Sequence, residues 1–170
     1  MKLFIFSTNF PKVSLSEIRK QLTLSTSDII RTSGSKGLDS IILNLPVNSE
    51  VHIPWEGFNG YITNDPDLPK QTSVVCPKVT KSALDILNDH VLGELHPKYV
   101  KIDNRLVTGL LGEDLDSPVD LVIINNVDST MLPTTSSALL ERIAFSKGIR
   151  VVNLDYTSLE DFQEVLDTIT

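Results

Sequence analysis

The stretch from Asp120 to Asp155 restricts the fold more than any other part of this chain. It opens with DLVIINNVDS, whose core Leu121-Val122-Ile123-Ile124 is apolar and mostly β-branched, the pattern of a strand covered on both faces. A polar break follows through Asn125, Asn126, Asp128, Ser129 and Thr130 to Pro133. A helix then begins, with Leu139, Leu140, Ile143 and Ala144 at three- and four-residue spacing, and Lys147-Gly148 ends it with a basic last turn and a glycine cap. Ile149 to Leu154 reads as a second buried strand. Strand, helix and parallel strand make a βαβ unit with an expected right-handed crossover, and the loop after its first strand opens at the carboxyl edge of the sheet, where doubly wound folds hold ligands.

The 170 residues suit one domain with one core and imply no second domain. A net charge of -7 disfavours a large nucleic-acid footprint, which needs clustered Lys and Arg. The single Cys76 excludes an internal disulfide. No Cys/His group has zinc-ligand spacing, so neither a metal nor a cofactor is expected. The apolar run Leu3 to Phe6 is too short for a signal-peptide core or a membrane span and reads as the first strand, so a cytoplasmic location is expected.

Taken in order, the first strand covers Lys2 to Phe6. Ser7, Thr8 and Asn9 follow it as small polar residues that face a ligand or simply cap a helix. Ser14 or Ser16 starts that helix, with Leu15, Ile18 and Leu22 on one face. Strand two, Asp28 to Arg31, leads into Thr32-Ser33-Gly34-Ser35-Lys36-Gly37-Leu38-Asp39. Two glycines among hydroxyl residues let backbone N–H groups approach an anion, and they equally build an ordinary tight turn. Strand three, Glu50 to Ile53, is followed by Pro54-Trp55-Glu56-Gly57-Phe58-Asn59-Gly60, where Trp55 and Phe58 either wall a base whose edge Asn59 reads or plug the end of the sheet. Tyr61 to Pro77 shows no period and reads as a surface loop long enough to cover a site. Val79 to Leu95 and Lys101 to Gly112 read as helices, the second with Ile102, Leu106 and Leu110 on one face and Asp103, Asn104 and Arg105 at its amino-terminal end. Thr157 or Ser158 caps a last, structural helix.

Several of these segments together resemble phage-borne members of the SLOG superfamily, which includes cytokinin-activating LOG phosphoribohydrolases, molybdenum-cofactor carriers and the Rossmann-like domain of DprA-type proteins. The resemblance rests on Leu111-Gly112-Glu113-Asp114-Leu115-Asp116-Ser117-Pro118, on Gly148-Ile149-Arg150-Val151-Val152-Asn153-Leu154, on Pro54-Trp55-Glu56-Gly57-Phe58-Asn59-Gly60 and on Arg31, Ser33, Gly34, Gly37 and Asp39. It implies that Arg105 matches the arginine serving a substrate phosphate, although Asp103 stands where the family has a histidine and Leu106 where it has asparagine or lysine. It also implies a match between the LOG motif of proline, glycines, threonine and glutamate and Pro133-Thr134-Thr135-Ser136-Ser137-Ala138-Leu139-Leu140-Glu141. The proline and Glu141 are in register there, and every glycine is gone. Hydroxyl and backbone donors at a helix start still suit an anion, while the glycine-dependent backbone path is lost. Read from the residues alone, Glu141 pairs with Arg142 or Lys147 or stabilises the helix dipole.

The expectation is therefore a single Rossmann-like, three-layer α/β domain with a mainly parallel sheet of about five strands. Its ligand pocket is drawn from Ser7, Thr8, Asn9, Thr32, Ser33, Gly34, Gly37, Trp55, Asn59, Arg105, Asn125, Asn126, Thr134, Thr135, Ser136 and Ser137. The expected function is non-catalytic binding of a nucleotide or nucleotide-derived small molecule, as in a phage-host conflict within the bacterial host cytoplasm. The alternatives are a LOG-like nucleoside 5'-monophosphate phosphoribohydrolase using Glu141 and Arg105, a DprA-like single-strand DNA binder, and a protein-interaction module. A homodimer is an expected assembly, and no membrane partner is expected.

Overall fold

A computed structural model describes residues 1–7, 24–35, 47–125 and 135–168. Six strands, β1 (Lys2–Ser7), β2 (Ile29–Thr32), β3 (Asn48–His52), β4 (Thr72–Val75), β5 (Leu121–Asn125) and β6 (Arg150–Asn153), form one sheet in the order β4-β3-β2-β1-β5-β6. Every pairing is parallel. Four helices are described: α1 (Lys81–His90), α2 (Val100–Leu111), α3 (Ser136–Ser146) and α4 (Leu159–Asp167).

The pleat of β1 and β5 sorts the two cores. Leu3, Ile5, Leu121 and Ile123 point to one face and pack with Phe162 and Leu166 of α4. Phe4, Phe6, Val122 and Ile124 point to the other and pack with Leu87 of α1, Leu106 and Leu110 of α2, and Leu140 and Ile143 of α3. A sheet with helices on both faces is the three-layer Rossmann-like arrangement, and it explains why the central strands are apolar at every position instead of alternating. α2 approaches β1 closely: a Cβ added at Gly109 meets Cε2 of Phe4 at 2.4 Å. Glycine there permits the backbone of the helix to lie on the aromatic ring.

Two readings of the sequence are corrected. The segment from Tyr61 to Pro77 is not a loop throughout: it contains β4, the sixth strand of the mainly parallel sheet that the sequence put at about five. TSVV is a short edge strand with only partly buried side chains, and so it lacks the apolar run or alternation that marks an interior strand. The helix expected over 79–95 is confined to α1, capped at its start by the Thr80 hydroxyl and ended at Val91 in extended conformation. The other helix ends follow their chemistry. Thr135 caps α3 and Ser158 caps α4 through their side-chain oxygens, and Gly148 takes a φ of 68° just past α3. The helix expected after Asn9 lies outside the described residues.

Strand order reverses at β1. Successive connections carry the chain from β1 to β2, β3 and β4, and the chain then returns to place β5 on the opposite side of β1. The end of β1 therefore faces the end of β5, with Ser7 in register with Asn125. This is the topological switch point of the sheet.

Candidate functional site at the carboxyl edge of the sheet

Three consecutive residues in the first half of α2 organise this edge. Asp103, Asn104 and Arg105 are only 8%, 1% and 5% exposed, and each reaches a different neighbour because successive helical side chains diverge by about 100°. Arg105 donates from Nη1 to the Ser33 carbonyl at 2.6 Å, and its guanidinium carbon lies 4.6 Å from the centroid of the Phe58 ring. Asn104 approaches the Pro77 carbonyl beyond β4 at 3.5 Å. Asp103 accepts from the Ser136 hydroxyl at 3.2 Å, which ties α2 to the start of α3. Burial pushes the Asp103 carboxyl above the usual range, with the Ser136 hydrogen bond and the charge of Arg105 opposing the shift.

The turn after β2 is fixed from the other side. Gly34 has a φ of 65°, and a Cβ there would approach Ile53 and Val51 at 3.0 and 3.2 Å. Asn59, itself at a φ of 52°, donates its amide to the Gly34 carbonyl at 2.8 Å. Trp55 meets Phe58 edge to face with centroids 5.2 Å apart and remains 44% exposed. Trp55, Phe58 and Arg105 are thus in contact in succession, Trp55 edge to face with Phe58 and Arg105 over the Phe58 ring, beside the Ser33-Gly34 turn.

The edge also gathers buried polar atoms that have no hydrogen-bond partner. Among the described residues these are Thr32 Oγ1 at the end of β2, both amide atoms of Asn125 at the end of β5, Asp155 Oδ2 just beyond β6, and Asn104 Oδ1. Only Thr72 Oγ1, at the start of β4, lies at the other edge. Such atoms are rare in folded proteins because each costs about 1–3 kcal/mol of desolvation. Their spread along the carboxyl edge, with Asn125 at the switch point, means that the sheet ends in hydrogen-bonding capacity that the protein itself does not use.

The residues expected to bind a ligand divide accordingly. Thr32, Ser33, Gly34, Trp55, Asn59 and Arg105 are brought to one side of the edge, and Asn125, Thr135, Ser136 and Ser137 belong to β5 and the start of α3. The backbone of Ser7 lies beside Asn125. Thr8, Asn9, Gly37, Asn126 and Thr134 lie outside the described residues. Thr135 spends its side-chain oxygen capping Ala138 N, and Ser137 is buried. Glu141 is placed elsewhere: it lines a groove of about 640 Å³ with Phe145, Ile149 and Arg150 beside the edge strand β6. Among the described residues, no group of three or more His, Cys, Asp or Glu side chains is arranged to hold a metal, and no helix is long and apolar enough to cross a membrane.

Sequence reasoning missed Glu50 and His52. His52 is buried, with Nδ1 3.1 Å from Thr108 Oγ1 and Nε2 3.5 Å from Glu50 Oε2, and Arg31 Nε donates to the same oxygen at 2.7 Å. His52 and Arg31 together hold the Glu50 carboxyl down at about 2. Burial pushes His52 below its usual range, against the pull of Glu50. An ionised carboxylate only accepts, so the neutral ring carries its proton on Nε2 and accepts from Thr108 at Nδ1. The available signal was a pair of ionisable residues at i and i+2 in a strand, which places both on one face.

Comparison of the chain with known protein families, curated proteins and solved structures finds no match.

Proposed function

We propose that this protein binds a nucleotide or nucleotide-derived small molecule across the carboxyl edge of its sheet, without turning it over, and that it is a SLOG-like Rossmannoid protein. The observation that carries this reading is the unpartnered polar edge at the switch point, with Asn125 at its centre. An amide with both donor and acceptor open suits the mixed hydrogen-bonding edge of a base or the hydroxyls of a ribose. The half-exposed Trp55 offers an aromatic face, and the start of α3 offers positive potential to an anion. From β3, which Trp55 follows, to β5, which Asn125 ends, there are three strand spacings, about 14 Å, so a ligand touching both is extended.

Binding without hydrolysis is favoured by the placement of the two residues that a phosphoribohydrolase needs. Arg105 is engaged with Ser33 and Phe58 at the edge, whereas Glu141 faces the groove along β6. The test is a thermal-shift screen against mononucleotides, cyclic dinucleotides and ADP-ribose derivatives, with chromatographic analysis of any binder after incubation. The expected result is a concentration-dependent rise in Tm with the compound recovered intact. Release of free base, abolished by Glu141→Gln, would replace this reading with the hydrolase.

A further inference from the structure

β5 and β6 are neighbours in the sheet, and each leads into a side chain whose hydrogen bonds the protein does not use. Asn125 ends β5 at 1% exposure, with both amide atoms unpartnered among the described residues. Asp155 lies two residues beyond the end of β6, and its Oδ2 is buried without a partner. A backbone bond from Leu154 N to the Ile124 carbonyl at 2.9 Å joins the two strand ends, and Asn125 and Asp155 are the residues that follow its two partners.

The turn that carries Asp155 is held from within. Tyr156 N and Thr157 N donate to the Asn153 carbonyl at 3.1 and 3.0 Å, and Asp155 N donates to Asn153 Oδ1 at 3.1 Å. Asp155 Oδ2 takes no part in these bonds. The two strand ends together therefore offer one donor, Asn125 Nδ2, and two acceptors, Asn125 Oδ1 and Asp155 Oδ2. A ligand that satisfies all three presents one acceptor and two donors, on an edge about as wide as the spacing of neighbouring strands, roughly 4.8 Å.

We infer that Asn125 and Asp155 read the base of the bound nucleotide, and that this base is guanine. The inference rests on the nucleotide reading above and specifies its base. The Watson–Crick edge of guanine runs from the keto oxygen through N1–H to the 2-amino group, one acceptor followed by two donors. The Asn125 amide pairs with the keto oxygen and N1–H, and the 2-amino group donates to Asp155 Oδ2. Adenine offers one donor and one acceptor on this edge, cytosine one donor and two acceptors, and uracil one donor between two acceptors. Each leaves at least one of the three protein groups unmatched, at the cost of an unsatisfied buried polar atom. The two hydroxyls of a ribose sit on adjacent carbons and span less than one strand spacing. The rest of the ligand extends across β1 toward Thr32 Oγ1 at the end of β2.

The test is calorimetric titration of the full chain at neutral pH with GMP, IMP, AMP, UMP and dGMP, which share the 5'-phosphate and differ in the base or the 2'-hydroxyl. GMP is expected to bind about tenfold or more tightly than IMP, which lacks only the 2-amino group, and more tightly still than AMP or UMP. dGMP is expected to match GMP. In Asp155→Ala, GMP binding is expected to fall to the level of IMP while IMP binding is unchanged, which also reports that the variant is folded. Equal binding of GMP and IMP, AMP or UMP binding as tightly as GMP, a loss with dGMP as large as that with IMP, or equal weakening of GMP and IMP in Asp155→Ala overturns the inference and leaves the nucleotide reading in place. A binder from the thermal-shift screen with no response to GMP does the same. If no compound in either set binds, the nucleotide reading fails and the inference fails with it.

Discussion

Arg105 donates to the main-chain carbonyl of Ser33 at 2.6 Å, and this one contact fastens the first half of α2 to the turn leaving β2. The guanidinium is at the same time stacked on Phe58 and directed by its Nε to the Ile102 carbonyl at 3.2 Å. A residue that would pass for a free phosphate ligand in the sequence is a structural tie as well. Arg105→Ala is therefore expected to lower the unfolding free energy by about 2–4 kcal/mol, because a buried carbonyl loses a charged donor. Arg105→Lys is expected to recover little, since an ammonium reproduces neither the planar stacking nor the fixed fork. Urea unfolding of both variants checks this.

Thr32→Val should have the opposite sign. The hydroxyl of Thr32 is fully buried without a partner, and valine has nearly its shape. Removing a polar group that the protein leaves unsatisfied is expected to raise stability by about 1 kcal/mol in the absence of ligand. The same substitution should reduce the stabilisation conferred by a bound nucleotide. A gain in stability paired with a loss in ligand response, both read from thermal unfolding, is the signature of a group kept for binding.

The Arg31–Glu50–His52 cluster sets an acid response. His52 has its folded pKa lowered below the usual 6.5, so its contribution to stability is present above that value and is lost as pH falls below it. Glu50 is lowered from 4.5 to about 2, so its contribution is present above 4.5 and is lost as pH falls toward 2. Asp103, raised by burial, opposes both: its native state takes up a proton more readily, which favours folding as pH falls through its folded pKa toward the usual 3.8. Melting temperature is expected to decline from about pH 6.5 downward, and the upper part of that decline should disappear in His52→Gln.

Gly109→Ala tests the packing of α2 on β1. The added methyl would lie 2.4 Å from the Phe4 ring, and that ring is enclosed in the core and cannot yield freely. A loss of about 1–3 kcal/mol is expected, with partial rescue by Phe4→Leu.

These residues also show what the sequence could and could not convey. β1 and β5 were legible to within a residue because two-sided burial demands unbroken apolar runs, and Leu121 to Ile124 is such a run. β4 was not, since an edge strand needs apolar residues on only part of one face. The reversal of strand order, and with it the pairing of Ser7 with Asn125, is a long-range relation that no local pattern encodes. The polar stretch Asp103-Asn104-Arg105 read only as the amino-terminal end of an amphipathic helix, with Arg105 as a ligand candidate. It is buried because three neighbouring segments converge on it, and only tertiary contacts reveal that. The Arg31–Glu50–His52 cluster was missed for the same reason: Arg31 meets Glu50 only through the register of β2 with β3.

The central claim is that the open amide of Asn125 receives a ligand, and the most direct measurement is its own side-chain resonance. ¹⁵N-labelled protein would be titrated with the nucleotide giving the largest thermal shift, with Asn125→Leu used to assign the Asn125 Nδ2 pair. The account predicts a saturable displacement of that pair with the same midpoint as the thermal response, and no thermal response in Asn125→Leu. A nucleotide that binds while the Asn125 amide stays in place, or that stabilises Asn125→Leu equally, would contradict it.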